Sequence, residues 1–398
     1  MRKTYLLAAV FWVVSSFYSS VFAVNTARID IVRSKETLAD SDTKIIEDFL
    51  AEAFGEFLAK TDFSDIASLR TVIVSKSSSE LDSGQFQYVP RFFTAAQKEI
   101  SNSFKKINDP PQSNRKVLLT TNLLIIINDL GNVELSKAAL DYLQSPEIMI
   151  RYWAVSCLTN TNILSQLNMT GSSENTLLGQ QFAQKLQTVA QNEQSGDILI
   201  LLAQFASELK QPAANELLNQ IAQKRIDLYL AWQVENEMVD SRILEALSDR
   251  ARVDTENTSI MAKNFATLYS LIIQRYVIGQ EILPPDNIQN LVSVIAQGEK
   301  YLTQFVPEWQ GSLKRAIEKG GGSILLGEHD LLFGSATAAG KLPAAAGFDY
   351  GKNPNGSAKT APPILPKPPQ AKAEQPAETK SETQPEKLSE EQPEPNSK

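Results

Sequence analysis

Leu135-Ser136-Lys137-Ala138-Ala139-Leu140-Asp141-Tyr142-Leu143-Gln144-Ser145-Pro146-Glu147-Ile148-Met149-Ile150-Arg151-Tyr152-Trp153-Ala154-Val155-Ser156-Cys157-Leu158 is the stretch on which the fold turns. Leu135, Ala138, Ala139, Tyr142 and Leu143 recur at helical spacing and give one apolar face. Ser145-Pro146 breaks the chain, with Ser145 placed to cap and Pro146 to open a second helix. On that helix Ile148, Tyr152, Val155 and Leu158 share one side, and Ile150, Trp153, Ala154 and Cys157 fill much of the other. A helix apolar nearly all round has to be covered on two sides. A helical hairpin whose second member is sandwiched in this way is the unit of stacked helix pairs.

Those residues resemble one HEAT-type repeat. In that family a leucine-ended helix, a short turn, and a second helix with an apolar-Arg pair and a later Ala and Leu recur; Ile150-Arg151, Ala154 and Leu158 stand at the matching places. Gln144-Ser145-Pro146 replaces the family's usual turn aspartate, which leaves open what Arg151 pairs with. The resemblance spans roughly residues 115–235, with Leu177–Gln191 and Ile198–Leu209, then Ala213–Lys224 and Ile226–Val234, as the next pairs. It implies an all-α fold of stacked antiparallel helix pairs, an α-solenoid, used as a binding scaffold.

Outward from this core the helical pattern continues. Ile46, Phe49, Leu50, Ala53, Phe54, Phe57 and Leu58 form a broad stripe; Phe93, Ala96, Ile100, Phe104 and Ile107 form another, stopped by Asp109-Pro110-Pro111. Val117 to Leu130 is nearly continuously apolar, and its length with the following Gly131 predicts a buried helix. Met261, Phe265, Leu268, Ile272 and Tyr276 mark a helix closed by Gly279, and Ile288, Leu291, Val292, Ile295 and Leu302 mark the next. Only Thr71-Val72-Ile73-Val74 reads as strand.

The ends differ from the body. Arg2 and Lys3, the apolar run Leu6 to Val14, and the small-residue stretch closing on Val21-Phe22-Ala23 predict a signal peptide over residues 1–23, cleaved after Ala23. The expected product is exported, periplasmic or extracellular, with no integral membrane segment after leader removal. Residues 24–114 are expected to form an N-terminal helical region and 115–319 the helical-repeat body. Residues 320–351 carry eight of the chain's 18 glycines and predict a Gly-rich connector over the surface. Residues 352–398 hold ten of the 19 prolines and no aromatic residue, which predicts a disordered Pro/Lys/Glu-rich tail favouring polyproline II.

With 38 basic against 46 acidic residues the net charge is -8, which disfavours nucleic acid as a partner. One Cys and one His exclude a disulfide framework and an all-protein His/Cys metal centre. His329, in the expected connector, reads as an ordinary surface histidine and Cys157 as a small buried hydrophobe. Ser-x-x-Lys occurs at Ser41, Ser103, Ser113 and Ser207 without a Lys-Thr-Gly partner, and Gly334 to Lys341 fails the phosphate-loop spacing. Glu235, Glu237, Asp240, Asp249, Asp254 and Glu256, interspersed with Arg242, Arg250 and Arg252, read as a solvated, ion-paired helix face, with an acidic sugar site beside Trp232 as the sharper reading. No catalytic, cofactor-binding or metal residue is assigned, and no cofactor. The expected function is a non-catalytic scaffold that binds a protein or peptide partner. The alternative is a carboxylate-dependent hydrolase acting on an extracytoplasmic polymer.

Overall fold

A computed structural model of the 398-residue chain describes residues 24–78, 87–108, 113–254, 256–320 and 322–368. The expected signal peptide, the Asp109-Pro110-Pro111 stop and most of the expected tail lie outside these residues. The described chain holds 17 α-helices: α1 Ala27–Arg33, α2 Asp40–Ala59, α3 Phe63–Ser75, α4 Tyr88–Asn108, α5 Asn114–Leu130, α6 Val133–Ser136, α7 Ile148–Thr159, α8 Thr161–Leu167, α9 Ser173–Asn192, α10 Gly196–Glu208, α11 Ala213–Leu230, α12 Val239–Val253, α13 Thr258–Gly279, α14 Pro285–Tyr301, α15 Ser312–Glu318, α16 Gly322–Phe333 and α17 Lys341–Ala346. Among the described residues no helix is long and apolar enough to cross a membrane.

Two ranks of helices run through the molecule. In one, α3 packs on α5, α5 on α7, α7 on α10, α10 on α12, and α12 on α14. In the other, α2 packs on α4, and α9 on α11, α11 on α13, and α13 on α16 and α17. The helix that decided the sequence reading, α7, lies between α5 and α10, with Ile150, Ala154, Val155, Cys157 and Leu158 buried. Its predecessor begins as the short α6 and tightens into a 3₁₀ helix, Lys137–Tyr142. The nearly all-apolar α5 is capped by Ser113, whose hydroxyl accepts from the Lys116 amide at 3.2 Å, and ends at Gly131 in the left-handed conformation, φ 58°.

Four expectations need correction. Thr71–Val74 is not a strand but the last turns of α3. The local β-branched preference yields to Ile66, Leu69 and Ile73, which bury one helical face, while Asp62 caps the start by accepting from the Ser64 amide at 2.8 Å. Residues 213–230 form one helix rather than a pair, so the partner of α11 is α12. Lys224 and Arg225 sit mid-helix and find their partners there, Lys224 on the carbonyls ending α9 and the buried Arg225 on Asp240, so no break is needed. Residues 320–351 are not a surface connector: Leu325, His329, Leu332 and Phe333 recur at 3 and 4 spacing and bury α16 against α13, and Leu342 does the same for α17. Finally, order extends past Lys352. The chain to Leu365 belongs to the same compact unit as the helices, with Leu365 3% exposed; Pro366–Lys398 forms a second unit.

Candidate functional site

The turns joining the two ranks are where charge is concentrated and buried. Glu193, at the turn between α9 and α10, is 3% exposed. Its carboxylate accepts from Arg151 Nε at 3.0 Å and Nη2 at 3.1 Å, and from the amides of Gln194 and Ser195 at 3.0 and 2.9 Å. Arg151 also donates to the carbonyls of Ser145 and Pro146 at 2.9 and 3.1 Å, so the turn that lacks an aspartate is closed by its backbone instead. Burial alone would raise the Glu193 pKa; the Arg151 guanidinium and the backbone donors bring it below the usual glutamate value. From the next helix, Lys224 Nζ donates to the carbonyls of Ala190, Gln191 and Glu193, the orphan acceptors at the end of α9.

The following turn repeats the theme with arginines. Arg225 donates to Asp240 at 2.6 and 2.8 Å and to the Glu235 carbonyl at 3.2 Å, and the Tyr229 hydroxyl donates to Asp240 at 2.6 Å. Burial, then the Asp240 charge, pushes the Tyr229 phenol well above its ordinary pKa. Arg275, from α13, donates to the Val234 carbonyl at 3.4 Å and lies 3.6 Å from Glu237 Oε1. Its guanidinium stands over the Trp232 ring at 5.1 Å. Arg275 Nε and Nη1 are buried without a hydrogen-bond partner, a site where the packing tolerates a desolvated donor. Between these clamps Trp232 and Asn236 take left-handed backbone, φ 60° and 55°, a conformation that costs energy in any residue with a side chain. The turn holds it because buried ionic contacts fix both ends.

Two clefts open beside these turns. One, of about 450 Å³, is lined by Glu193, Leu199, Arg225, Leu228, Trp232 and Glu235. The other, of about 610 Å³, is lined by Ile148, Ile200, Asn236, Met238, Val239 and Arg242. Ile148, Met149 and Met238, at the starts of α7 and α12, are 51%, 54% and 40% exposed. A third, more open cleft, of about 880 Å³, lies at the opposite ends of α10 and α12, by Met169, Lys210 and Val253.

The acids near Trp232 therefore do not form the expected solvated face. Glu237 and Asp240 are 1% and 0% exposed because Arg275 and Arg225 from neighbouring helices enclose them, and Arg250, 3% exposed, turns inward onto the Leu209 and Gln211 carbonyls. Only Arg242–Glu245 and Arg252–Asp249 remain as surface pairs. Glu235 stays at the mouth of the first cleft. Sequence reasoning placed Trp232, Glu237 and Asp240 together but gave Arg225 and Arg275 no part. The available signal was two arginines on the apolar faces of α11 and α13, where a buried cation demands a buried anion.

His329 is likewise not a surface histidine. It is 5% exposed, with Nε2 2.8 Å from Ser270 Oγ and Nδ1 3.0 Å from Asp330 Oδ1. Burial lowers its pKa more than Asp330 raises it, which keeps the ring neutral. Gln274 Nε2 donates to Ser270 Oγ at 2.9 Å, so the hydroxyl donates its hydrogen bond to Nε2 and the neutral ring carries its hydrogen on Nδ1 toward Asp330. Serine, histidine and aspartate thus meet, but round a fully buried hydroxyl midway along α13 that Gln274 already engages. Ser113, of the Ser-x-x-Lys set, is a helix cap, and Ser207 bonds the Gln204 carbonyl. Gly334 and Gly340 face each other across a tight reversal closed by a Gly334–Ala339 bridge. Cys157 is buried and its thiol donates to the Leu124 carbonyl; burial raises its pKa strongly. Among the described residues no group of three or more His, Cys, Asp or Glu side chains is placed to hold a metal. Compared with protein-family models, curated proteins and solved structures, the chain matches none.

Proposed function

We propose that the chain is an exported, non-catalytic scaffold, an α-solenoid of HEAT-like helix pairs whose turns bind a protein or peptide partner. The observation that carries the reading is the exposure of Ile148, Met149 and Met238 on turns whose backbone is fixed by buried ion pairs. Apolar side chains held in water on a rigid frame lose little conformational entropy when a partner covers them. The ranks of helices succeeding one another from α2 to α14 support the solenoid assignment. Export rests on the leader-like residues 1–23.

The test is affinity capture from the envelope fraction of the source cells, using the full chain with its leader removed. A bound protein should be recovered with the native bait and lost with Ile148→Asp/Met238→Asp, while the melting temperature of the bait stays the same. Recovery of the same protein by both baits would move the binding surface elsewhere, and recovery of nothing above background would remove the support for a scaffold.

A further inference from the structure

The body ends in a segment held by contacts to its own backbone. Residues 360–365 lie against α13, and one side chain reads their backbone from both directions. Gln274 Nε2 donates to the Pro363 carbonyl at 2.9 Å, and the Leu365 amide donates to Gln274 Oε1 at 2.8 Å. The Thr360 hydroxyl donates to the Ser335 carbonyl at 2.7 Å, where Gly334 has no side chain to obstruct the Thr360 carbonyl. Pro362 and Leu365 are buried while Pro363 and Ile364 are exposed, Ile364 at 82%. Pro362 and Leu365 thus share the buried side at a spacing of three, the number of residues per turn of a polyproline II helix. Backbone contacts supply affinity and a side-chain pocket supplies selectivity, the division of labour of peptide-recognition sites.

We infer that the surface of α13 beside the Gly334–Gly340 reversal is a recognition site for extended proline-containing peptides. It accepts a proline and, three residues on, a leucine-like side chain, and residues 360–365 hold the place in cis. Gln274, the Thr360 hydroxyl, Pro362 and the Leu365 side chain hold the strap. Pro362 and Pro363 restrict the backbone beforehand, so little entropy is lost on docking and a competing peptide of the same kind starts with the same advantage. Being covalently attached, the strap competes at an effective concentration in roughly the millimolar range, so a partner must either bind more tightly or meet a loosened strap. This face is separate from the turn clefts, and the site rests on the scaffold reading only for its biological use.

The experiment uses the full chain carrying Leu365→Glu, which removes the buried anchor of the strap, and a fluorescein-labelled peptide with the sequence of residues 359–368. Fluorescence anisotropy should show saturable binding to the variant, at least about ten-fold weaker binding to the native chain, and loss of binding when Gln274→Leu is added. Circular dichroism checks that each variant keeps its helix content. Equal binding to native and variant chains, or none to a folded Leu365→Glu chain, would overturn the inference. Hydrogen exchange on the native chain gives an answer independent of any variant. The Leu365 amide should exchange at least about 100-fold faster than the amides of Ser270–Arg275, through local opening of the strap. Matching rates would make the segment a fixed part of the core. Neither readout uses the turn clefts, so its outcome is independent of the captured partner.

Discussion

Arg151 and Glu193 join one helix pair to the next turn through two parallel hydrogen bonds, 3.0 and 3.1 Å, with the carboxylate 3% exposed. Arg151 opens α7, while Glu193 follows α9, 42 residues later. The pair therefore ties together segments that no local pattern connects.

Glu193→Gln should cost about 1–3 kcal/mol at neutral pH, since Arg151 loses a charged partner. The native carboxylate has a depressed pKa, so its contribution is complete above the unfolded value of about 4.3 and is lost as pH falls through the lower folded value. Melting curves of native and variant chains should differ at pH 7 and draw together as pH falls below the unfolded value and through the lower folded one. A constant difference across that range would mean that the ion pair does not set it.

Asp240→Asn leaves Arg225 inside the protein without its counter-ion and weakens the acceptor for Tyr229. Removing one partner of a buried pair costs about 3–5 kcal/mol. Denaturant titration should show that loss, and Arg225→Met/Asp240→Leu should recover much of it. A single variant as stable as the native chain would show that Arg225 finds other acceptors.

His329 is held neutral, so the sign of its linkage is that of a depressed pKa. Its stabilising effect is complete above the unfolded value of about 6.5 and declines as pH falls through the folded value. The melting temperature of the native chain should fall as pH drops below about 6.5 toward the folded value, and His329→Gln should flatten that slope. Equal slopes would assign the acid sensitivity to other groups.

Deleting residues 369–398 should leave the melting temperature unchanged, because their composition provides no apolar area to bury. Deletion from Lys352 onward should lower it, since Leu365 and Pro362 are buried and Gln274 loses both backbone partners. The expectation from sequence placed the whole stretch after Gly351 outside the fold. Equal melting temperatures for the two deletions would restore that boundary.

The helices were legible wherever apolar residues recur at 3 and 4 spacing, as in α2, α4 and α13, because burial of one face depends on local periodicity alone, while α5 was legible from the length of its apolar run and Gly131. Leu325, Leu332 and Phe333 carry the same signal, but the surrounding glycines masked it. The turns were less legible. Arg225 with Asp240, and Arg275 with Glu237, are pairs chosen by three-dimensional packing, and their residue types look like any charged surface when spaced along a chain. Leu365 was hidden for the opposite reason: proline-rich surroundings suppressed a single apolar anchor whose pocket exists only once α13 is in place.

Any tension on the chain beyond Pro366 enters the body at Leu365 and Gln274. A pull directed away from the face of α13 would peel the strap contact by contact, Leu365 first and Thr360 last. Peeling needs far less force than extracting a helix. The strap is thus a mechanical fuse: under load it releases the six residues 360–365 as slack and exposes the surface beneath while the stacked helices stay folded.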